Sequence, residues 1–497
     1  MNTPCVRSAK GEESKVVLLI SLLAIVHVFC FSAAFPFFGI VDEQAHIDLS
    51  VRYSHGEIPR GISLLCPEAK PFFLIYGTPE YIWPPETQPG NIYPAPPWKQ
   101  SFTNAASLVL SRYVAWKYDD NHEASQPPLY YGLAGAWWRI GKMFNLDGLA
   151  LLYWLRFLNI PIVAALVWLG WLTARQVFPD RQFARLTVPA LIAFMPQTSF
   201  YSINNDVLAP LTAGLFFLLF LKLWERPLPG TGLAAATGLA LAAMFLTKSS
   251  LLPTLASAGA FLSLKFFQLV RREKILRLIP AFAALAFAAL LPMLAWMLWC
   301  KTNYGDLTGA AIKIQRLGWT SKPPAEWLGH PLFSFHGLWV FVSGNVATFW
   351  QGEFLWQGRP LTNSAMDHFF ELLTLSLLAL SLVGASRRPS VGRIAFGFAY
   401  VGLAATAAFF ALLSVKYDFH ECFYPSREHP FFTSGRLFLG LLIPALILLA
   451  GGLDFMLQKC SRAAKFTLLM ALLMFMLAGE ATNDLCVFSC EYNWFHQ

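Results

Sequence analysis

The chain is short of charge. Asp, Glu, Lys and Arg make up 13% of its 497 residues, about half the one-quarter share of a soluble domain. Set against 56% hydrophobic residues, that scarcity excludes a water-soluble globular protein. Of eight cysteines, none form a Cys-x-x-Cys pair, which argues against a zinc framework. No internal repeat divides the chain into matched halves, the pattern many transporters show. Nucleic acid is not among the expected partners.

What the chain does have is long apolar text. VVLLISLLAIVHVFCFSAAF, IPAFAALAFAALLPMLAWMLW and LFLGLLIPALILLAGGL reach or approach the ~20 residues that cross a bilayer. Lys15 before the first run and Ser-Ala-Ala near its end suit a signal peptide. Because many spans follow, an uncleaved anchor is the better reading. The expected class is an all-α polytopic membrane protein with about eleven transmembrane helices, interfacial amphipathic helices and a large extracytoplasmic first loop.

Lysine and arginine set the topology. Arg7, Lys10 and Lys15 precede the first span, and later clusters fall at 175–185, 221–226, 271–277, 387–393 and 458–465. Placing all of them in the cytoplasm puts spans near 16–40, 150–173, 186–203, 207–224, 232–249, 251–269, 279–299, 367–385, 394–415, 434–456 and 465–480. The division is then 1–41 for a cytoplasmic N-terminus and first span, and 42–149 for an extracytoplasmic loop with interfacial helices. Residues 150–300 carry spans two to seven, 301–366 a second outer loop, 367–480 spans eight to eleven, and 481–497 an outer tail. QPPLYYGLAGAWWRIGKMF (126–144) decides the count. Its leading prolines suit a helix start, and its Tyr, Trp, Arg and Lys content reads as an amphipathic helix on the outer membrane surface. The Pro-rich, aromatic run WPPETQPGNIYPAPPW reads as part of a folded cap with irregular backbone. Cys66, Cys422, Cys486 and Cys490 fall outside, where a disulfide is chemically allowed and free thiols are an equal alternative.

The informative polar residues gather at the outer face. Asp42 and Glu43 open the first loop, with His46 one turn on, and Asn204, Asn205 and Asp206 sit where the third span turns into the fourth. Capping the helix that follows would explain Asp206. For Asp42 and Glu43 a helix-dipole role explains one acid better than two. For His46 a side-chain hydrogen bond is the plainer reading than metal ligation. Lys248 and Arg436 stand at the outer boundary against the positive-inside trend. Both suit snorkelling, or a phosphate site made from a point charge and a planar fork. Acid for proton abstraction beside base for a phosphate leaving group describes sugar transfer from a lipid-phosphate donor.

The ordered segments VDEQAHIDLSVRY, EASQPPLYYGLAGAWW, SINNDVLAPLTAGL and GLALAAMFLTKSS resemble the signature segments of multispanning GT-C-type glycosyltransferases. The resemblance is to the DUF2142-like members related to the dolichyl-phosphate-mannose protein mannosyltransferase and aminoarabinose transferase group. TSGRLFLGLLIPAL resembles that family's Gly-Arg-Tyr segment, with Leu437 at the usual tyrosine, and Gln44 stands where proline is usual. The resemblance covers roughly residues 15–455. It implies a first-loop acid as base for the acceptor, here Asp42 or Glu43, and a second-loop aspartate at Asp206. A polyprenyl-phosphate sugar is the implied donor, with its phosphate on Lys248 and Arg436, and His46 and Asn205 as further substrate-binding residues. The acceptor is a glycan, lipid or protein of the cell envelope. A divalent cation is left open as cofactor, with Asp206 as one place for it. The implied seat is a bacterial inner membrane, with the N-terminus cytoplasmic and the C-terminus outside. A transporter or flippase of envelope lipids is the alternative; it is disfavoured because the polar residues gather at one face and no repeat is found.

Overall fold

The computed structural model describes residues 4–39, 42–77, 94–356, 359–385, 389–422 and 424–496. Most of the Pro-rich run, together with Arg387, Arg388 and Gln497, lies outside the described residues. Helices dominate. In the first third they are α1 (Pro4–Ala34), α2 (Glu43–Ser54), α3 (Lys70–Tyr76), α4 (Phe102–Trp116), α5 (Leu129–Met143) and α6 (Gly148–Arg156). The middle holds α7 (Asn159–Val177), α8 (Gln182–Ala193), α9 (Ala209–Glu225), α10 (Thr231–Thr247), α11 (Leu252–Val270), α12 (Ile275–Tyr304) and α13 (Ala310–Arg316). There follow α14 (Phe335–Gln351), α15 (Ser364–Ala385), α16 (Ser390–Lys416), α17 (Leu442–Met456), α18 (Arg462–Asn483) and α19 (Leu485–Phe488).

Among the described residues, nine helical segments are long and apolar enough to cross a membrane. Each of the eleven anticipated spans carries a helix, and the two outside those nine segments are α8 with 12 residues and α10 with 17. Sequence chemistry explains why α8 stops early. Pro196 and the polar text after it cannot continue a helix in lipid without leaving backbone groups unpaired. Side chains pair that backbone instead: Asn159 donates to Phe200 O and Ser202 O at 3.1 and 2.6 Å, and Gln197 Oε1 accepts from Ser199 N at 3.1 Å. The Gln197 amide ties the segment to Thr348 O and Phe349 O of α14 at 3.1 and 2.7 Å. The chain between α8 and α9 is therefore irregular, buried and fixed, which puts Asn205 and Asp206 in a defined place.

Close packing comes from glycine at helix crossings, as expected where lipid supplies no hydrophobic drive between helices. A Cβ on Gly238 of α10 would overlap the Leu285 carbonyl of α12, and one on Gly452 of α17 would overlap the Leu377 carbonyl of α15. The core is aromatic and aliphatic throughout, with Phe35, Tyr153, Phe217 and Leu446 fully buried.

The two ends of the bundle differ in chemistry. At one end Arg185 pairs with Glu13, and Arg181 and Lys465 both pair with Asp454. These ties bring the basic clusters at 175–185 and 458–465 beside the start of the first span. At the other end lie the long loops. α5 packs its buried face, including Tyr131 and Trp138, against α2 and α6 rather than crossing the bundle. The first loop is more helical than its proline content suggests, through α2 and the 15-residue α4. The second loop holds the unanticipated α14, capped by Ser334 Oγ accepting from Gly337 N at 3.0 Å. Its Thr320–Ser321 strand pairs antiparallel with Tyr417–Asp418. The C-terminal tail joins the same end, where Tyr492 OH donates to Pro94 O at 3.0 Å. Cys66, Cys422, Cys486 and Cys490 are separate thiols.

Candidate functional site

Asp42 stands at the N-cap position of α2 with left-handed backbone (φ 65°), yet its side chain makes no capping bond. Aspartate tolerates this region better than most residues, and the turn sends its carboxylate across to His122, whose Nε2 lies 3.0 Å from Oδ1. Capping therefore does not account for Asp42. Its other oxygen lies 3.7 Å from Arg436. Burial pushes the Asp42 carboxyl up, but His122, Lys313 and Arg436 outweigh it and hold the group well below the usual range. For His122 the balance runs the other way: burial pushes it down, and Asp42 and Glu123 carry it above the ordinary value.

Glu43 corrects the expectation of an acting pair. Adjacent residues at a helix start point about 100° apart, and Glu43 turns into the core, where it is fully buried. It accepts from Arg156 at 2.8 and 3.0 Å, from Phe38 N at 2.8 Å and from Ile203 N at 2.9 Å. Arg156, equally buried, also donates to Ser32 O and Phe35 O and covers the Phe37 ring at 3.7 Å. This closed set fastens α1, α2, α6 and the Ile203 turn together. It leaves Glu43 no free lone pair for a substrate.

Asp206 is also fully buried, but it faces the site. The capping duty anticipated for it belongs to its neighbour, Asn204, whose Oδ1 accepts from Asp206 N at 2.8 Å and Val207 N at 3.3 Å. Asp206 is thereby released to bind Lys248 through one oxygen and Arg436 Nη1 through the other, at 3.1 Å. Arg436 is a hub. Beyond Asp206 and Asp42, its Nε donates to Glu353 Oε2 at 3.0 Å and to Ser434 Oγ at 3.1 Å. The fork anticipated for a phosphate is thus spread over three carboxylates, and Lys248 is likewise committed. Close approach of backbone makes this geometry possible: any Cβ at Gly435 would strike Asn345 O and Phe349 N of α14.

Four residues of this cluster were not legible as site residues. Glu123, buried, accepts from Lys313 Nζ and from Gln126 Nε2 at 2.5 Å. Burial pushes Glu123 up, and Lys313 with the His122 and His46 rings together outweigh it, so the group sits at about 2. Glu353 follows α14, and its amide donates to Thr198 Oγ1 at 3.0 Å. Burial lifts Glu353 above the ordinary carboxylate value against the pull of Arg436. His122 and Lys313 complete the set. A doublet His122-Glu123 mirroring Asp42-Glu43 was the one available signal, since acids are scarce in this chain.

Two cavities share the charged cluster as a common wall formed by Asp42, Glu123, Lys313 and Arg436. One, about 650 Å³, opens among the long loops past the charged side chains of Arg316, His420 and Glu421. The other, about 320 Å³, runs past His46, Asn205 and Lys248 to Phe409, Phe410 and Leu413 of α16. Trp319 lines both. His46 hydrogen-bonds Tyr131 OH through Nδ1 at 2.8 Å, and burial brings it down to about 4, so the ring is neutral at pH 7. Asp42, His122 and Glu123 also offer one ligand atom each within 4.8 Å of one another. Two oxygens and an imidazole suit a hard or borderline divalent cation. Lys313 already holds a Glu123 oxygen, so a metal fits only if that lysine is displaced.

Fold and site together define an integral membrane protein of the all-α polytopic class with a buried acid–base centre at one end of the bundle. The chain belongs to the family described as predicted membrane protein (DUF2142), whose model matches residues 24–417. Among solved structures it is similar to the Archaeoglobus fulgidus oligosaccharyltransferase. The complex with Zn and sulfate is 12% identical at TM-score 0.39, covering 93% of this chain and 53% of that one. The apo form is 13% identical at TM-score 0.37, covering 95% and 55%. This chain thus spans about half the length of those structures. No curated protein matches it.

Proposed function

We propose that this protein is a GT-C-type glycosyltransferase that moves a sugar from a polyprenyl-phosphate donor to a cell-envelope glycan, lipid or protein at the extracytoplasmic face. The observation that carries the reading is the charged wall between two unlike cavities. One opens among the loops past charged Arg316, His420 and Glu421 and suits a hydroxylated acceptor arriving from water. The other is bordered by apolar membrane helices and suits a sugar whose carrier stays in lipid. The order of sequence motifs along the chain supports the same class.

In this reading Asp42 takes the proton from the acceptor hydroxyl as that oxygen attacks the anomeric carbon. The bond from that carbon to the donor phosphate oxygen breaks with inversion, and polyprenyl phosphate departs carrying the negative charge. Arg436, Lys248 and Lys313 stabilise that charge. His122, and after it Lys313 and Arg436, suppress the basicity of Asp42. A donor phosphate that draws Arg436 and Lys313 to itself relieves part of that suppression, so base strength rises when the substrate is present. Asp206 and Glu353 hold Arg436 and Lys248 in position rather than reacting.

Purified protein in lipid nanodiscs, incubated with radiolabelled polyprenyl-phosphate sugars and an envelope extract, is expected to consume one donor and label an acceptor. Failure to consume any donor in the presence of extract would overturn the assignment.

A further inference from the structure

Three residues that line the cavity on the membrane side, Asn205, Ser250 and Trp319, carry a buried polar atom with no partner in the protein. Asn205 is fully buried, and its amide nitrogen donates to Gln126 Oε1 at 3.3 Å and Thr247 O at 3.4 Å. Both partners are acceptors, so the network fixes which way the amide faces. Its oxygen, Oδ1, then has no partner. Ser250 Oγ is buried and unpartnered in the same way. The two residues come from separate turns, one before α9 and one before α11, and they flank the Lys248–Asp206 pair. Both line the cavity, with Gln126 and Ser249 beside them. Buried acceptors without partners weaken a fold. The pair on either side of the Lys248–Asp206 contact, Asn205 and Ser250, marks a place kept for hydrogen bonds from something else.

Resting on the donor reading above, we infer that Asn205 and Ser250 form the corner that reads the donor's sugar. Asn205 Oδ1 accepts a hydrogen bond from one sugar hydroxyl, and Ser250 Oγ bonds its neighbour. Lys248, between them, marks the side from which the glycosyl phosphate is held. The neutral His46 ring lines the facing part of the cavity. A sugar lacking the hydroxyl would leave Oδ1 buried and unpaired, and sites of this kind reject such analogues far more strongly than apolar pockets reject a missing methylene. The corner therefore sets which sugar is used, whereas the cations recognise the phosphate common to all donors.

The test is equilibrium binding to the full-length protein in nanodiscs, using short-chain polyprenyl phosphates bearing glucose, mannose, arabinose or no sugar. The parent protein is expected to bind one glycosylated lipid at least ~10-fold more tightly than the bare lipid phosphate. Ser250→Ala removes a hydroxyl that makes no protein bond, so folding is untouched, and it should cut that preference several-fold. Asn205→Leu should bring it within about twofold of none, with affinity for bare polyprenyl phosphate unchanged in both variants. Unaltered preference in Ser250→Ala and Asn205→Leu would overturn the inference while leaving the donor reading standing. Equal binding of bare and glycosylated lipid by the parent would also overturn it. No binding of any lipid phosphate by the parent would sink the donor reading, and this inference with it.

Discussion

At the residue scale, adjacent acids have opposite fates. Asp42 faces two cavities and Glu43 faces Arg156, although nothing in their order distinguishes them. Glu43→Gln should therefore act on folding. Leaving a buried guanidinium without its carboxylate costs on the order of 3–5 kcal/mol, read as a large fall in unfolding temperature in detergent. A Glu43→Gln protein of parental stability and no activity would reverse this assignment. His46 gives a pH test. Its folded value of about 4 lies below the ordinary 6.5, so between those values the unfolded chain binds a proton that the fold does not. Stability must then fall as pH drops from about 6.5 toward 4. His46→Gln should flatten that part of the unfolding-temperature profile relative to the parent; an unchanged slope would remove His46 from the account. Arg436→Lys keeps one charge but cannot reach Asp206, Glu353 and Asp42 together, and should cost about 1–3 kcal/mol of stability along with transfer. A variant as stable and active as the parent would mean that the hub is ornamental.

At the element scale, turns rather than helices build the centre. Asp206, Lys248, Glu353 and Arg436 all stand where a helix gives way to irregular chain. Asp42, Asp206, Lys248 and Arg436 were legible because topology alone brings the outer ends of spans together. His122, Glu123, Lys313 and Glu353 were not, because their loops carry no periodicity and their partners lie far off in sequence. Lys313, for example, meets Glu123 across 190 residues. The early end of α8 was also hidden, because the Asn159 bonds that satisfy the irregular backbone at Phe200 and Ser202 come from a residue far off in sequence. Gly435 tests the turn that holds Arg436. Gly435→Ala should push α14 away and abolish transfer with a clear loss of thermal stability. Gly259→Ala, with no neighbour within 4 Å of the added carbon, serves as the silent control. A silent Gly435→Ala would mean that α14 does not position the arginine.

At the scale of the whole molecule, basic pairs gather at one end and the acid–base centre with both long loops at the other. Positive charge favours the cytoplasmic side, so the centre and the C-terminal tail that packs on the first loop should face outward. A reporter active only in the cytoplasm, fused after the last residue, is expected to be inactive; strong signal would invert the whole arrangement. On the proposed reading, the wall between the two cavities performs sugar transfer with Asp42 as base. The most direct measurement of that role compares donor consumption by the parent and by Asp42→Asn at matched expression and unfolding temperature. Removing a general base costs about 10²–10⁴-fold in rate, and a loss of that size is the predicted result. Equal rates in parent and variant would contradict the account.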